Sequence, residues 1–163
     1  MTTIRPAKKS DYHDIAEIGT KSYSDDYYEG EDSFFSKIDG CPEGCFVADL
    51  DGVVGYAISF PYLVGKSFPI DSFFVLVDNP NCWYIHDVCV AKDFRGKGIA
   101  RRLASKVIEI GWDVMCLTAV QGSEGFWERF GFRSFFELDY CGKKASYMVF
   151  IKSITHPLKG VGL

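Results

Sequence analysis

The fold is decided by residues 83–110, which read WYIHDVCVAKDFRGKGIARRLASKVIEI. The first eight residues, Trp83 to Val90, are mainly apolar and of strand length, and they predict a buried β-strand. From Ile99 to Ile110, apolar residues recur every three to four positions and predict an amphipathic helix. A buried strand, a glycine-rich loop and a helix therefore form the central unit.

The loop between them, Arg95-Gly-Lys-Gly-Ile-Ala100, fits one of three phosphate-binding patterns. A dinucleotide fingerprint, GxGxxG, is weakened because Arg101 stands at the third glycine. A Walker A loop is rejected because Phe60 replaces the first glycine before Gly65-Lys66-Ser67. What remains is a turn of small residues that opens a helix, whose backbone N–H groups and positive end can hold a diphosphate. Six cations crowd this segment: Lys92, Arg95, Lys97, Arg101, Arg102 and Lys106.

Strands and helices alternate in the rest of the chain. Ser10 is a candidate N-cap for a first helix with apolar positions at three-residue spacing, and a short helix is predicted around Phe34 to Ile38. Asp51-Gly52 predicts a tight hairpin turn. Residues 61–81 carry three prolines and predict a surface excursion, with a short strand or turn around 73–77. Further predictions are strands at 45–50, 53–60 and 114–120, a helix at 124–130, and a hairpin of 133–139 with 146–151.

Composition limits the domain count and the partners. The 163 residues, 47% hydrophobic and 16% aromatic, predict a single domain covering 1–163. A net charge of −4 argues against binding nucleic-acid phosphates and favours a small cationic partner. No apolar run is long enough to span a membrane, and Met1 to Lys9 lacks a secretory pattern. We therefore expect a reducing, cytoplasmic location with free thiols. No metal site is expected, because Cys41 and Cys45 have no matching second pair.

Two motifs resemble the GNAT superfamily of acetyl-CoA-dependent N-acetyltransferases. The first is a strand ending at Val90, a four-residue turn and then [RQ]-x-x-G-x-[GA], matched by residues 95–100. The second is Phe126-Trp-Glu-Arg-Phe-Gly-Phe132, which is similar to the family's FYxxxGF segment. The resemblance covers nearly the whole chain. It implies the GNAT fold, an α/β (α+β) architecture with a mixed central sheet of about six to seven strands flanked by about four helices.

The resemblance also implies a site for acetyl-CoA or coenzyme A. The backbone N–H groups of the loop would cradle the pyrophosphate; its residues are Arg95, Gly96, Lys97, Gly98, Ile99 and Ala100. The exposed edge formed by Val88, Cys89 and Val90 would pair with pantetheine as another strand would. The amide near Val88 would polarise the thioester carbonyl. Ser123 and Phe126 would touch the pantetheine or adenosine portions.

Acetyl transfer to an amine needs a base, because an alkyl ammonium must first lose a proton. Strand alternation puts Tyr84, His86 and Val88 on one face, with Asp87 opposite as a packing residue. Relatives carry a catalytic Glu at the position of Tyr84 or a catalytic His at that of His86. His86 is thus a candidate base, against the alternative of a structural histidine. Trp127 replaces the tyrosine that protonates the leaving thiolate in many relatives, so the thiolate leaves unassisted, or Tyr84 or water supplies the proton.

Residues 24–32 hold five carboxylates and no basic residue. The resemblance puts this stretch at the wall of the acceptor site, where it suits a polycation. Glu29 is the candidate that grips the substrate ammonium and relays its proton; the alternative is a solvated acidic loop. The pattern resembles a subgroup of polyamine and histone acetyltransferases that includes viral members.

The expected function is transfer of acetyl to a primary amine of a small aliphatic polyamine, by direct attack in a ternary complex. An intermediate on Cys89 is disfavoured because strand alternation points its side chain away. The alternatives are a histone or protein lysine acetyltransferase and a non-catalytic acyl-CoA-binding module. Aromatic surface could drive a homodimer.

Overall fold

The computed structural model describes residues 1–152, which form seven strands and four α-helices. The strands are β1 (Thr3–Pro6), β2 (Cys45–Asp49), β3 (Val53–Tyr62), β4 (Cys82–Val90), β5 (Val114–Ala119), β6 (Arg133–Tyr140) and β7 (Lys143–Ile151). The helices are α1 (Tyr12–Ser22), α2 (Glu31–Gly40), α3 (Ile99–Ile108) and α4 (Glu124–Glu128). One-turn 3₁₀ helices lie at Lys9–Asp11, Asp25–Tyr27, Pro42–Gly44 and Lys92–Phe94.

All seven strands form one sheet in the order β1-β2-β3-β4-β5-β7-β6. Neighbouring strands are antiparallel except β4 and β5, which run parallel. The parallel pair is joined by α3, as a parallel connection requires a crossover. The predicted mixed sheet flanked by about four helices is confirmed.

Helices cover both faces of the sheet. On one face, the Tyr56 ring of β3 meets Phe34 of α2 edge-on, with 5.8 Å between ring centroids. On the other face, Leu103 of α3 lies over Gly55, the neighbouring residue of β3. Because side chains alternate along a strand, α1 and α2 pack on one face and α3 on the other.

The first helix begins later than predicted. Ser10 is not its N-cap, because Ser10 lies inside the 3₁₀ turn and α1 starts at Tyr12. The Asp11 carboxylate accepts a hydrogen bond from the Lys8 amide at 2.8 Å and from the Arg5 guanidinium at 2.8 and 2.9 Å. This charge-assisted cluster attaches the start of the helix to β1.

Both predicted hairpins are confirmed. Asp51 and Gly52 have φ of 53° and 133°, and Cys141 and Gly142 have φ of 56° and 77°. These positive values at both central residues match the tight turns that follow the twist of antiparallel strands.

Residues 63–81 connect β3 to β4 without a helix or strand, so the predicted short element around 73–77 is wrong. The connection is not purely a surface excursion either, because Phe68 is buried. Side chains rather than a ladder hold its backbone: the Phe74 amide donates to Ser36 Oγ at 3.0 Å, and the Gly65 amide donates to Tyr147 Oη at 2.8 Å.

The six cysteines all lie within the described residues and carry free thiols, as predicted. Within residues 1–152, the model contains no helix with the length and apolar character needed to cross a membrane. The predicted loose tail, 156–163, lies outside the described residues.

Gly44→Ala should destabilise the fold by about 3 kcal/mol, because overpacking a close backbone contact forces the chain apart. A Cβ at Gly44 would lie 2.0 Å from the Ser59 carbonyl oxygen. Urea unfolding measures the loss. The matched control is Gly125→Ala, because a Cβ there meets no atom of the described chain within 4 Å. Equal stability of the two variants would contradict the close approach.

Candidate active site

A β-bulge in β4 directs three polar residues, Tyr84, His86 and Asp87, toward one side of the sheet. Ile58 of β3 pairs with Asp87 and Ser59 pairs with Ile85, so His86 is the extra residue. A bulge interrupts the alternation of side chains. Tyr84, His86 and Asp87 therefore line the same cavity, and the prediction that Asp87 faces the opposite side is wrong.

Next to the bulge, β4 and β5 diverge. Their parallel pairing covers Trp83–Ile85 and Met115–Leu117 within the described chain. The strand gap that opens beyond it has a volume of about 100 Å³ and is lined by residues that include Val88, Ser123 and Trp127. Beyond Ile85, the edge of β4 is therefore not paired with β5 within the described chain.

A tyrosine-lined cavity of about 60 Å³ adjoins the strand gap. Its aromatic and ionisable lining residues are Tyr23, Tyr27, Tyr28, Phe34, Tyr84, Tyr140, Asp25, Glu29, His86 and Asp87. The two spaces are adjacent, because both are lined by Tyr23, His86, Asp87, Thr118 and Val120.

Three segments cover the cavity. The Tyr140 hydroxyl donates to the Phe68 carbonyl at 2.8 Å, which joins β6 to the 63–81 connection. Lys143 at the tip of the β6–β7 hairpin forms a 3.0 Å salt bridge with Asp26. The Gly30 amide donates to Asp71 at 2.7 Å. The roof is thus built from the α1–α2 connection, the 63–81 connection and the β6–β7 hairpin.

Glu29, Lys37 and His86 form a buried ion cluster under this roof. His86 Nε2 lies 3.0 Å from Glu29 Oε2, and Lys37 Nζ donates to Glu29 Oε1. The Ser33 hydroxyl donates to the same Oε1 at 2.6 Å. All three charged side chains are at most 3% exposed. Burial alone would raise the pKa of Glu29, but His86 and Lys37 outweigh it and lower the pKa to about 2.

This cluster determines which nitrogen of His86 is available. A carboxylate only accepts hydrogen bonds, so in the neutral ring Nε2 carries the hydrogen that Glu29 receives. Nδ1 then keeps its lone pair, and it forms no hydrogen bond to any residue in 1–152. His86 can therefore accept a proton at Nδ1.

The prediction that Glu29 grips a substrate ammonium is not supported by its geometry. Its carboxylate is buried and already accepts hydrogen bonds from Ser33, Lys37 and His86. Asp26 is paired with Lys143. Asp25 lines the cavity and is exposed, which makes it the carboxylate of the acidic stretch that lies at the cavity mouth.

Asp87 is a second, half-buried carboxylate beside His86. The hydroxyls of Tyr23 and Tyr56 each donate to it at 2.6 Å. Burial raises the pKa of Asp87, and the two tyrosines and His86 oppose that rise. Burial next to Asp87 also raises the pKa of both tyrosines well above their usual 10.

Tyr84 is on the predicted face, but its hydroxyl is occupied. It hydrogen bonds to Thr118 Oγ1 at 2.8 Å and accepts from the Phe68 amide at 3.2 Å. Thr118 in turn contacts Ser67 Oγ at 2.6 Å. Burial raises the pKa of Tyr84. These contacts attach the 63–81 connection to the sheet.

The glycine loop lines a second opening, a groove of about 440 Å³ at the start of α3. Of the predicted residues, it contains Val90, Arg95, Gly96, Gly98, Ile99, Ala100 and Phe126. The groove is also lined by Arg101, one of the six cations named from the sequence, and by three residues that the sequence analysis did not assign to the cofactor, Phe94, Arg129 and Phe130. Arg129 was detectable, because it lies one helical turn after Phe126 in the second motif.

The groove fits the diphosphate of coenzyme A. Gly96 and Gly98 have φ of 75° and 76°, and a Cβ at either would meet no atom of the described chain within 4 Å. The backbone is therefore open at the N-terminus of α3, where N–H groups favour an anion. Arg95 Nε donates to the Val90 carbonyl at 3.0 Å and braces the loop.

Three other predicted cofactor-binding residues lie outside the lining of the groove. The Cys89 side chain is buried and outside the lining of all three spaces, and burial raises the pKa of its thiol to about 12. Lys97 is exposed beside the groove, with its Nζ 5.4 Å from the Phe94 ring centroid. Ser123 lines the strand gap rather than the groove.

Lys37 was the other residue that sequence analysis missed. It follows Phe34 by three positions and precedes Ile38 and Cys41, so it lies on the apolar stripe of α2. A lysine at a buried helical position is the signal that could have identified it.

Comparisons agree with this geometry. The model of the acetyltransferase (GNAT) family matches residues 12–132. No curated protein sequence matches the chain. Among solved structures, the NatC complex bound to Gag peptide and CoA superposes with a TM-score of 0.74 and 15% identity, covering 93% of this chain and 99% of that one.

Two further structures share the fold. Ard1 from Thermoplasma volcanium has a TM-score of 0.74 and 17% identity, covering 92% of this chain and 97% of that one. Arabidopsis thaliana Naa50 in complex with the bisubstrate analogue CoA-Ac-MVNAL has a TM-score of 0.65 and 16% identity, covering 94% and 99%. At these identities the likeness concerns the fold alone, whereas the family match spans most of the sequence. The chain therefore belongs to the acetyltransferase (GNAT) family and is an acetyl-CoA-dependent N-acetyltransferase.

Proposed function

We propose that the enzyme acetylates a primary amine of a small aliphatic polyamine, by direct attack within a ternary complex. The observation that carries this proposal is the closed, tyrosine-lined cavity that meets the strand gap at His86. In this assignment the groove at the glycine loop binds coenzyme A, the strand gap admits its pantetheine arm, and the cavity receives the amine.

The size of the cavity favours a narrow substrate. Three hydrogen-bonded or ion-paired segments roof a space of about 60 Å³. Such a space accepts a single alkyl chain, whereas a protein tail needs an open groove.

The lining favours a cation. Five tyrosines line the cavity together with Asp25, Glu29 and Asp87, and its lining within the described chain contains no lysine or arginine. Aromatic faces and carboxylates both attract an ammonium group. Asp25, exposed at the mouth, is the carboxylate that we assign to a second ammonium of the substrate.

His86 is assigned as the base. Acetyl-CoA supplies an activated acetyl group, and the amine must be unprotonated to attack it. With Nε2 held by Glu29, Nδ1 accepts the proton from the amine, directly or through a water molecule. Glu29 thus positions the base instead of binding substrate. The Val88 amide remains the predicted donor to the thioester carbonyl.

The buried thiol of Cys89 supports direct attack without a covalent enzyme intermediate. Burial raises the pKa of the Cys89 thiol to about 12, so little thiolate exists near neutral pH.

The leaving group has no evident proton donor among the predicted residues. Trp127 cannot donate a proton as an acid, and the Tyr84 hydroxyl is hydrogen bonded to Thr118. A thiol is a far weaker base than an amine, so the thiolate can leave unprotonated.

His86→Ala should lower kcat/KM for the amine by about 10²- to 10⁴-fold, the usual contribution of a positioned general base. The Kd of acetyl-CoA should change much less, since the groove assigned to its diphosphate does not include His86. Steady-state kinetics and calorimetry provide the two values. His13→Ala, an exposed histidine on α1, is the control. Retention of near-full activity by His86→Ala would refute the assignment.

Asp25→Asn should raise KM for 1,4-diaminobutane about fivefold, because the variant loses a partly exposed ion pair with the second ammonium group, and such a pair contributes about this much. KM for 1-aminobutane should stay constant, because that amine has no second ammonium. Asp32→Asn, from the same acidic stretch but outside the cavity lining, is the matched control. Equal effects on both amines would contradict a second-ammonium site.

Arg129→Ala should raise KM for acetyl-CoA about tenfold, since a charged hydrogen bond to phosphate is lost. The matched control is Arg133→Ala, which lies four residues later and outside the groove lining. An unchanged KM would remove Arg129 from the cofactor site.

The deciding experiment measures thiol release from acetyl-CoA with putrescine, spermidine, spermine, an arylalkylamine and a histone-tail peptide. Turnover on the aliphatic polyamines is expected. Turnover on the peptide alone would instead support a lysine acetyltransferase. Acetyl-CoA binding without turnover on any amine would favour a non-catalytic module.

A further inference from the structure

Lys37 is buried at a position where its ammonium group has no contact with solvent, which is energetically unfavourable for a charged group. Its side chain is 0% exposed on the apolar stripe of α2, and burial lowers the pKa of its ammonium. Removing an ammonium group from water is tolerated only with close compensation. Lys37 Nζ finds it in Glu29 Oε1, in the Ser33 hydroxyl at 2.7 Å and carbonyl at 3.2 Å, and in the Ser72 carbonyl at 2.7 Å.

The charges of the ion cluster balance only with Lys37 present. Glu29 contributes one negative charge and Lys37 one positive charge, so the cluster is neutral when the His86 ring is neutral. Without Lys37, the compensating charge beside Glu29 would have to be the imidazolium form of His86. A ring that is already protonated cannot accept the proton of an amine.

We propose that Lys37 is a positioning residue that fixes Glu29 and cancels its charge, so that His86 stays an unprotonated base. The inference rests on the proposed role of His86 and adds a regulator of that role. Lys37 does not touch the substrate in this arrangement, because it acts through Glu29.

The charged and titratable groups near His86 and its partners come from several elements. Glu29 comes from the α1–α2 connection, Lys37 from α2, Asp71 from the 63–81 connection, Tyr84 and Asp87 from β4, Tyr56 from β3, Tyr23 from the end of α1 and Tyr140 from β6. Phe60 and Phe68 pack against the ring itself. Asp87 adds negative charge where it is ionised, which increases the need for a cation near Glu29.

A double-mutant cycle, which removes the charges of Lys37 and Glu29 singly and together, distinguishes this role from simple packing. Lys37→Met leaves a cluster charge of −1, Glu29→Gln leaves +1, and the double variant is neutral again. NMR of the histidine side chains, with pH varied, follows the titration midpoint of the His86 ring without any substrate. The readout is therefore independent of the proposed amine and of turnover.

The midpoint of His86 should rise by about 1 to 3 pH units in Lys37→Met, as for a base left beside an unpaired carboxylate. It should fall in Glu29→Gln and return close to the wild-type value in the double variant. The pH at which kcat/KM falls on the acidic side of its pH profile should shift in the same directions. His13 on α1 is exposed and serves as an internal control in every spectrum.

Lys21→Met, which removes an exposed lysine from α1, controls for the loss of a helical lysine. If Lys37→Met does not fold, Glu29→Gln and the double variant still test the inference, because their midpoints must differ. Midpoints that coincide in all folded variants, or that shift in one direction only, would overturn it and leave Lys37 a packing residue.

Discussion

The buried ion cluster of Glu29, Lys37 and His86 is the interaction on which the site depends. It joins the α1–α2 connection, α2 and β4, and Lys37 also reaches the Ser72 carbonyl in the 63–81 connection. Charges removed from water must be paired, so these segments have one arrangement in which all three groups are satisfied. That arrangement builds the wall and roof of the cavity around His86, the proposed base.

The site lies where the sheet departs from regularity. In a regular β-ladder, the backbone N–H and C=O groups are hydrogen bonded to neighbouring strands and the side chains alternate between the two faces. Few backbone groups are then free to bind a ligand. The bulge at His86 turns Asp87 toward the cavity, and the divergence of β4 from β5 frees an edge next to it. In the proposed assignment, the same strand serves as a scaffold for the core and as the place where the two substrates meet.

The fold and the cofactor site were largely predictable because their signals are local. Turn residues such as Asp51-Gly52 and the glycines at 96 and 98 need backbone angles that few residues adopt, so each specifies a structure within a few positions. The amine site was less predictable. Glu29 was identified but its pairing with Lys37 and His86 was not, Asp87 was put on the wrong face, and Lys37 was missed, because their contacts join residues distant in sequence.

The sequence by itself determined the order of strands and helices, the hairpins, the anion-binding loop and the family, since periodicity and turn chemistry act over a few residues. Only the tertiary structure decided what the acidic stretch does. Burial and long-range pairing assign Glu29 to His86 and Lys37, Asp26 to Lys143, and Asp25 to the cavity mouth. Identical side chains acquire different chemistry because their desolvation and partners differ, and neither is written in the local sequence.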